Sequence, residues 1–516
     1  MKECYEHREN HSHCGLSGHA TLFPTRLIDV GEVEDDLIRL VETGHDSVTN
    51  PYLILSYCWG QGNESARTTR ENLESRLCRF SMTTLPKTIR DAILLTKMMG
   101  FQYLWVDAMC IVQASDDDPG DFKLEAMRMR DYYANAQCCI SASLARDSSE
   151  GFLTGRPLGR FPVPRVVALK LASSTSSQSA LFKGEQRPAF RRADVLEATP
   201  LMERGWYVQE LMLSRRILHW TLHGVHLECQ SSLFIEGRAQ RVRRGTGEAT
   251  APREVLAVPD DDVLTYAGWY QLINTYSWKQ LSYESDRMYA IHGIASLLVQ
   301  RCGAEYLCGV FRSSIAQGLA WSHDCEGGGD PETLDRRPPK HVYTQLPTWS
   351  WASNCAVRFH PIEEAGFVRD DHPQRPPLFP VHPKNMSLAE GIDTRLYIRA
   401  PLIVVFLQRV DKQITASTED SWGRCVNGQG AGGFLDAQRS NQDDALYDSF
   451  LAGLDEGISI LWLVLGLATD ENDWYVGLLL QRKGETFYQR YGLLQILWEP
   501  DDIEDRFNIV EEIILE

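Results

Sequence analysis

A glutamate and a tryptophan stand four residues apart in the segment RGWYVQELMLSRRILHW, which begins at Arg204. The segment predicts a helix followed by a strand, and residues four positions apart share one face of a helix. Glu210 would then lie beside Trp206, where loss of solvent raises the pKa of a carboxyl group and the carboxylate can stabilise an oxocarbenium-like sugar. Arg204 precedes this pair, Gln209 lies within it, and both are candidates for binding the same ligand. The structural alternative is that Glu210 only forms a salt bridge with Arg204 or with one of the two arginines after the helix.

Two other carboxylates are candidate catalytic groups. Asp107 follows the apolar residues YLWV and is expected at the end of a buried strand. Carboxylates with perturbed pKa values concentrate in functional sites, although helix capping or an ion pair with an arginine would also explain Asp107. Glu125 lies on a predicted helix and could face the same crevice, but a solvated helix face would explain it equally well.

Polar and aromatic side chains also follow the apolar run of PYLILSYCWG. Ser56, Tyr57 and Trp59 could line a base or ribose pocket through their hydroxyl groups and through stacking. Alternatively, Trp59 could simply pack the turn that follows the strand. Cys110 could act as a nucleophile if a histidine lay beside it, and the alternative is a thiol buried in the core.

These residues need a scaffold that brings them together, and the first half of the chain predicts one. Short apolar runs at 52–57, 103–112 and 138–143 alternate with helical segments at 86–100 and 116–136. This order of strands and helices is typical of an α/β layer with a mainly parallel sheet. Ligands of such sheets bind beyond the carboxyl ends of the strands. We therefore expect Ser56, Asp107 and Glu210 to surround one crevice.

Four blocks of this sequence resemble the fungal heterokaryon incompatibility (HET) domain family. The first is LSYCWG at 55–60, and the second joins LPKTIRDAI to YLWVDAMCIVQ. The third is MRMRDYYANAQCCISAS, and the last is RGWYVQELMLSRRILHW. The blocks follow the order found in the family and cover roughly residues 20 to 235. Cys58 and Ala108 depart from the commoner residues of the family pattern.

The resemblance implies an effector of fungal nonself recognition and programmed cell death. Such a protein would act by association with protein partners, including self-association through the HET domain. The resemblance also implies distant kinship to TIR domains, which have a flavodoxin-like parallel sheet. Some TIR domains hydrolyse NAD with a glutamate on a helix after a tryptophan, and Trp206 and Glu210 resemble that pair. The enzymatic alternative is thus an NAD or nucleotide glycohydrolase, which would use NAD as substrate and need no cofactor. A third possible function is that of an accessory protein in a fungal secondary-metabolite pathway.

The same patterns predict the domain organisation. We expect a mobile polar tail at 1–20, the HET domain at 21–235, a helical segment at 255–325 and a β-rich C-terminal domain at 395–516. The apolar or alternating runs after residue 395 are separated by polar turns, which favours strands. The predicted class is therefore α+β, with an N-terminal α/β domain, a helical middle and a β-rich C-terminal part.

Composition narrows the classes of function. The net charge of −18 opposes binding to nucleic acid. The 13 cysteines include no CxxC pair, and several lie in apolar runs, which favours reduced thiols and a cytoplasmic location. The His and Cys residues of the first 20 positions match no standard zinc-site spacing, so no metal site is predicted. The longest apolar stretch, at 458–468, is too short for a membrane helix.

Overall fold

The computed structural model of this 516-residue chain divides into two compact units, Met1–Ala251 and Pro252–Glu516. The structure describes residues 23–44, 51–153, 165–172, 177–184, 199–221, 224–230, 232–236, 242–243, 256, 258–260, 262–323, 346–353, 357–364, 396–410, 413–417, 422–425, 458–468, 475–482, 487–497 and 510–515. The tail predicted at 1–20, with its His and Cys residues, lies outside these ranges.

The first unit alternates strands and helices. Its described strands are β1 (Arg26–Asp29), β2 (Leu37–Glu42), β3 (Tyr52–Ser56), β4 (Phe80–Ser81), β5 (Tyr103–Trp105), β6 (Cys138–Ser141), β7 (Arg165–Ala172), β8 (Ser177–Gly184), β9 (Arg216–Thr221), β10 (Gly224–Cys229), β11 (Ser232–Ile235) and β12 (Val242–Arg243). Its described helices are α1 (Arg70–Leu77), α2 (Lys87–Met98), α3 (Asp107–Cys110), α4 (Phe122–Asn135) and α5 (Gly205–Leu213).

One mixed sheet organises this unit. Its described strands follow the order β12-β11-β10-β9-β6-β3-β5-β1-β2-β4. The four neighbours β5, β3, β6 and β9 run parallel, which confirms the parallel strands predicted from the sequence. The flanking strands pair antiparallel, so the sheet is mixed rather than mainly parallel. Local hairpins cause this difference, because antiparallel neighbours such as β9 and β10 need only a short connection.

The strand β3 lies at the centre of the core. All five of its residues are buried, which requires cover on both faces of the sheet. The helix α2 packs on β3 and β5 through buried residues that include Ile89 and Ile93. It begins directly after Pro86 and ends before Gly100, whose φ of 77° stops the helix. The helix predicted at 86–100 is thereby confirmed.

The strand predicted at 103–112 is shorter than expected. β5 ends at Trp105, and the chain turns into α3 at Asp107. A helical turn forms because the N–H of Cys110 donates to the carbonyl oxygen of Val106 at 2.8 Å. The Asp107 carboxylate accepts the N–H of Ala108 at 2.7 Å, a contact that stabilises the first turn of a helix. Asp107 therefore opens a short helix instead of ending a strand.

The second unit combines short helices with a larger sheet. Its described helices are α6 (Gln271–Tyr276), α7 (Arg287–Cys302) and α8 (Ile315–Leu319). Its described strands are β13 (Tyr306–Leu307), β14 (Val310–Phe311), β15 (Trp321–His323), β16 (Val357–Phe359), β17 (Ile362–Glu364), β18 (Leu396–Val410), β19 (Gln413–Ser417), β20 (Trp422–Cys425), β21 (Ile458–Ala468), β22 (Tyr475–Arg482), β23 (Phe487–Leu497) and β24 (Val510–Leu515). The strands β17 to β24 join one sheet in the order β17-β21-β22-β23-β20-β19-β18-β24.

The segment predicted as helical at 255–325 is interrupted by a hairpin. β13 and β14 pair around Cys308 and Gly309, which have φ values of 44° and 97°. A left-handed backbone conformation ends a helix. The hairpin is held in place by the Gly309 carbonyl oxygen, which accepts the indole N–H groups of Trp269 and Trp351 at 3.0 and 2.9 Å. Neither unit shows, in the ranges described, a helix that is long and apolar enough to cross a bilayer.

Candidate functional site

The carboxyl end of β3 meets α5 through a side-chain hydrogen bond. Ser56, the last residue of β3, donates its hydroxyl group to the carboxylate of Glu210, 154 positions later in the chain. Chain order reverses at β3, because β5 lies on one side of it and β6 on the other. Ligands of parallel sheets bind beyond the strand ends at such a reversal. The structure thus places a carboxylate at the position where this sheet would bind a ligand.

Burial gives Glu210 an unusual proton affinity. The residue is only 2% exposed, and loss of solvation raises its pKa to about 7. The charge of Arg204 and the hydrogen bond from Ser56 work in the opposite direction. A hydrogen bond with Tyr133 also lowers the pKa, whereas the charge of Asp107 raises it. Glu210 therefore exchanges its proton near neutral pH, which suits a catalytic carboxyl group.

Arg204 interacts electrostatically with both candidate carboxylates, Glu210 and Asp107. Its guanidinium group donates to the backbone carbonyl of Tyr57. Burial lowers the pKa of Arg204, but the neighbouring charges, led by that of Glu210, outweigh burial and leave this pKa above its usual value. The electrostatic pairing considered from the sequence is thus present. It does not return Glu210 to the pKa of an ordinary glutamate, because desolvation is the larger effect.

Asp107 and Trp59 form the half-buried side of the site. The indole Nε1–H of Trp59 donates to Asp107 Oδ2 at 2.9 Å. Burial raises the pKa of Asp107, and the charge of Arg204 and the bond from Trp59 oppose this rise. Trp59 therefore orients the Asp107 carboxylate, which is a role in addition to packing the turn after β3. Trp59 itself is half-buried.

Two residues of the site were absent from the sequence prediction. Asn63 is 3% exposed, and its Oδ1 accepts the hydroxyl group of Tyr57 at 3.0 Å. Tyr133, on α4, shares a hydrogen bond with Glu210. Asn63 lies in the polar loop after β3, and its neighbours there gave no signal to separate it from solvated residues. Tyr133 follows another tyrosine, so the sequence offered no basis for choosing between them.

Glu125 belongs to a different part of the unit. It is 1% exposed and accepts hydrogen bonds from the hydroxyl groups of Thr25 at 2.7 Å and Tyr132 at 2.9 Å. Arg128 lies 3.6 Å from the same carboxylate. These contacts tie the start of β1 to α4. The structure therefore brings Glu125 neither to Ser56 nor to a solvated helix face.

Three further predicted site residues pack around the site or behind it. Cys110 is fully buried, and burial raises the pKa of its thiol to about 12, as expected for a core thiol. Trp206 stacks edge to face on Phe122 of α4, with ring centroids 5.9 Å apart. Gln209 is 1% exposed within α5. Trp206 therefore packs on α4, and the aromatic residue hydrogen-bonded to Glu210 is Tyr133 rather than the predicted Trp206.

The turn after Trp59 depends on a glycine. Gly60 has a φ of 58°, and a Cβ atom added there would lie 1.8 Å from Asp147 Oδ2. Gly100 has a comparable φ of 77°, but a Cβ atom there would meet nothing within 4 Å. We expect Gly60→Ala to lower the free energy of unfolding by about 3 kcal/mol, since strain and a clash add, and Gly100→Ala by about 1 kcal/mol. Urea unfolding of both variants checks this, and equal losses would contradict the close approach of Asp147.

A surface cavity lies away from these residues. It has a volume of about 490 Å³, and its lining includes Glu32, Val33, Lys97 and Gln102. Gln102 directly precedes β5, so this cavity is at the amino end of the parallel strands. The chemistry gathers at the opposite, carboxyl end. The candidate site is therefore the carboxyl end of the sheet, where the buried carboxylates lie and where ligands of parallel sheets bind, and not this cavity.

Comparison with known proteins gives one family match. Residues 52–210 match the model of the family described as Heterokaryon incompatibility protein (HET). Neither a curated protein nor a solved structure matches the chain. The matched segment starts at the first residue of β3 and ends at Glu210, so it includes both partners of the Ser56–Glu210 bond. The chain therefore contains a heterokaryon incompatibility (HET) domain within residues 52–210.

Proposed function

We propose that this HET domain protein is a cytoplasmic effector of fungal nonself recognition and programmed cell death, and that it acts by hydrolysing NAD or a related nucleotide. The family match supports the biological role. The bond between Ser56 and the buried Glu210 at the reversal of strand order carries the enzymatic part. Protein association, the mechanism expected from the family resemblance alone, is the alternative that the experiment below separates.

The strand order supports the proposed kinship to TIR domains. Counted along the chain, the parallel strands β3, β5, β6 and β9 are first to fourth, and in the sheet they stand in the order 2-1-3-4. This is the order of flavodoxin-like sheets, which bind nucleotide ligands beyond the carboxyl end of their first strand. Ser56 occupies that end here.

The proposed reaction requires little from the protein beyond a placed carboxylate. The bond between C1′ of the ribose and the nicotinamide nitrogen breaks, and its electron pair goes to that nitrogen, so nicotinamide leaves as a neutral molecule. The ionised Glu210 carboxylate stabilises the oxocarbenium-like ribose. Water then adds to C1′, and its proton passes to Glu210 and on to solvent. A pKa of about 7 lets the same group exist as carboxylate and accept this proton.

The test is nicotinamide release from NAD by the purified full-length protein. Release by the wild-type protein, measured by chromatography, supports the proposal. If NAD stays intact at high protein concentration while expression of the protein still kills fungal cells, hydrolysis is rejected and association is the mechanism. Size-exclusion chromatography with light scattering then asks whether the chain associates with itself.

Removal of the Ser56 hydroxyl group should shift the pH dependence of this activity. The hydrogen bond from Ser56 lowers the pKa of Glu210, so Ser56→Ala should raise that pKa further. Because the carboxylate is the active form, kcat/KM rises with pH through the pKa of the free enzyme. We expect the midpoint to move upward by about one pH unit. Ser148→Ala, at another fully buried serine of the unit, serves as control; an equal shift there would remove Ser56 from the site.

A further inference from the structure

A row of polar residues crosses three parallel strands beside the candidate site. Ser56 of β3 is the register partner of Ser141 of β6, and Ser141 is the register partner of His219 of β9. Register partners on neighbouring parallel strands project to the same face of a sheet. Ser56 bonds to α5, so this face is the one that α5 covers. Polar groups buried in such a row need hydrogen-bond partners.

The partners form a continuous buried chain. The hydroxyl group of Tyr207, on α5, lies 3.3 Å from Ser141 Oγ and 3.4 Å from His219 Nδ1. On its other side, His219 Nε2 lies 3.1 Å from Glu228 Oε2 of β10. Each of these four residues is at most 2% exposed. The chain therefore links three strands to one helix without contact with solvent.

Glu228 sets the direction of these hydrogen bonds. When Glu228 is ionised, its carboxylate only accepts, so the Nε2 atom of His219 carries the hydrogen and donates. In the neutral imidazole Nδ1 then accepts, and it takes the hydroxyl hydrogen of Tyr207. The Tyr207 oxygen can then accept from Ser141, whose Oγ also lies 2.9 Å from Ser143 Oγ. Exchange of either end group for an apolar one would break this order and leave a buried polar group unmatched.

The chain gives α5 polar contacts with two further strands, in addition to the bonds that Glu210 and Arg204 make at the end of β3. Tyr207 precedes Glu210 by three residues, so the two side chains project from neighbouring positions on one face of α5. Glu210 is bonded to β3, while Tyr207 is bonded to β6 and β9. Polar contacts with several strands restrict the rotation of the helix about its axis more than contacts with one strand end do. A displacement of about 1 Å at a reacting group can cost on the order of a hundredfold in rate.

We infer that Tyr207, His219 and Glu228 are positioning residues that hold the Glu210 carboxylate in register with the end of β3. This inference rests on the proposed hydrolysis of NAD. It assigns no contact with substrate to the three residues. Their effect should therefore appear in kcat rather than in KM, and it should depend on hydrogen-bond pattern rather than on charge.

Substitutions that keep or break the pattern test this role. Tyr207→Phe and His219→Leu should each lower kcat for nicotinamide release about tenfold, with KM within about twofold of wild type. His219→Gln offers an amide donor to Glu228 and an oxygen acceptor to Tyr207, so it should keep kcat within about threefold of wild type. Tyr132→Phe is the matched control, because it removes another buried hydroxyl of the unit that bonds to Glu125 instead. Wild-type kcat in both Tyr207→Phe and His219→Leu would overturn the inference, as would equal losses in His219→Gln and His219→Leu.

A second measurement keeps this result separate from the fate of the proposed function. The pKa of Glu210 can be followed by carbon NMR of labelled glutamate in the full-length protein. We expect it to rise in Tyr207→Phe, because a displaced α5 weakens the bond from Ser56, and to stay unchanged in Tyr132→Phe. If the wild-type protein releases no nicotinamide, the proposed function is rejected. The pKa of Glu210 in Tyr207→Phe still shows whether Tyr207 positions the Glu210 carboxylate. An unchanged pKa in Tyr207→Phe would overturn the inference whatever the activity.

Discussion

Glu210→Gln should reduce nicotinamide release by a factor on the order of 10² to 10⁴, the range by which a catalytic carboxylate or electrostatic stabiliser accelerates a reaction. Glutamine fills the same volume and can still accept the hydroxyl group of Ser56. It carries no charge to stabilise the oxocarbenium-like ribose and no site for the proton from water. The loss should therefore fall on kcat, with KM nearly unchanged. Steady-state kinetics on the purified full-length variant measures this.

A second buried glutamate of the same unit provides the control. Glu125→Gln removes a carboxylate that is equally buried but bonded to Thr25 and Tyr132. We expect its activity per folded molecule to stay within about threefold of wild type, whatever stability it loses. Equal losses in the two variants would mean that activity reports only the folding of the unit. Unchanged activity in Glu210→Gln would exclude Glu210 from catalysis.

The partners of the two adjacent tyrosines of α4 could not be predicted from the sequence. Tyr132 bonds to Glu125, while Tyr133 bonds to Glu210. Successive residues of a helix point about 100° apart, so neighbours with identical chemistry serve different carboxylates. Apolar periodicity correctly predicted that this segment is a helix. It could not predict which tyrosine faces which acid, because that depends on how the helix is rotated against the sheet.

Long-range pairing set a second limit. The apolar runs predicted the strands β3, β5 and β6, and the rule for parallel sheets predicted that their polar ends would gather. The sequence predicted that Ser56 and Glu210 would share a crevice, but not that they would be hydrogen-bonded. This bond joins residues 154 positions apart, and no local pattern in the sequence marks it. The same holds for the row from Ser56 to His219, which exists only once β3, β6 and β9 are in register. The residue types indicated which side chains could be catalytic, but the register of the strands determines which of them are hydrogen-bonded to one another.

The buried carboxyl group should also make the stability of the protein depend on pH. Glu210 has a folded-state pKa of about 7 against an ordinary value of 4.5. A carboxyl group whose pKa is raised by folding contributes stability that is fully present below 4.5 and is lost as pH rises through about 7. The difference between the two pKa values corresponds to about 3 kcal/mol. The wild-type protein therefore bears this cost at pH 8 and not at pH 4.

Glu210→Gln should remove that cost, because glutamine is neutral at every pH and resembles the protonated acid. We expect the variant to be more stable than wild type by about 2 to 3 kcal/mol at pH 8 and by less than about 1 kcal/mol at pH 5. Urea unfolding of both proteins at each pH gives the difference and cancels the other titrating groups. Glu203→Gln, which removes an exposed carboxyl group just before Arg204, should differ from wild type by no more than about 0.5 kcal/mol at either pH. If Glu210 is a reactive carboxylate held at the expense of stability, Glu210→Gln gains stability at pH 8 and loses activity. If Glu210 is only one half of a structural ion pair, Glu210→Gln is less stable than wild type at pH 8, because Arg204 loses its partner.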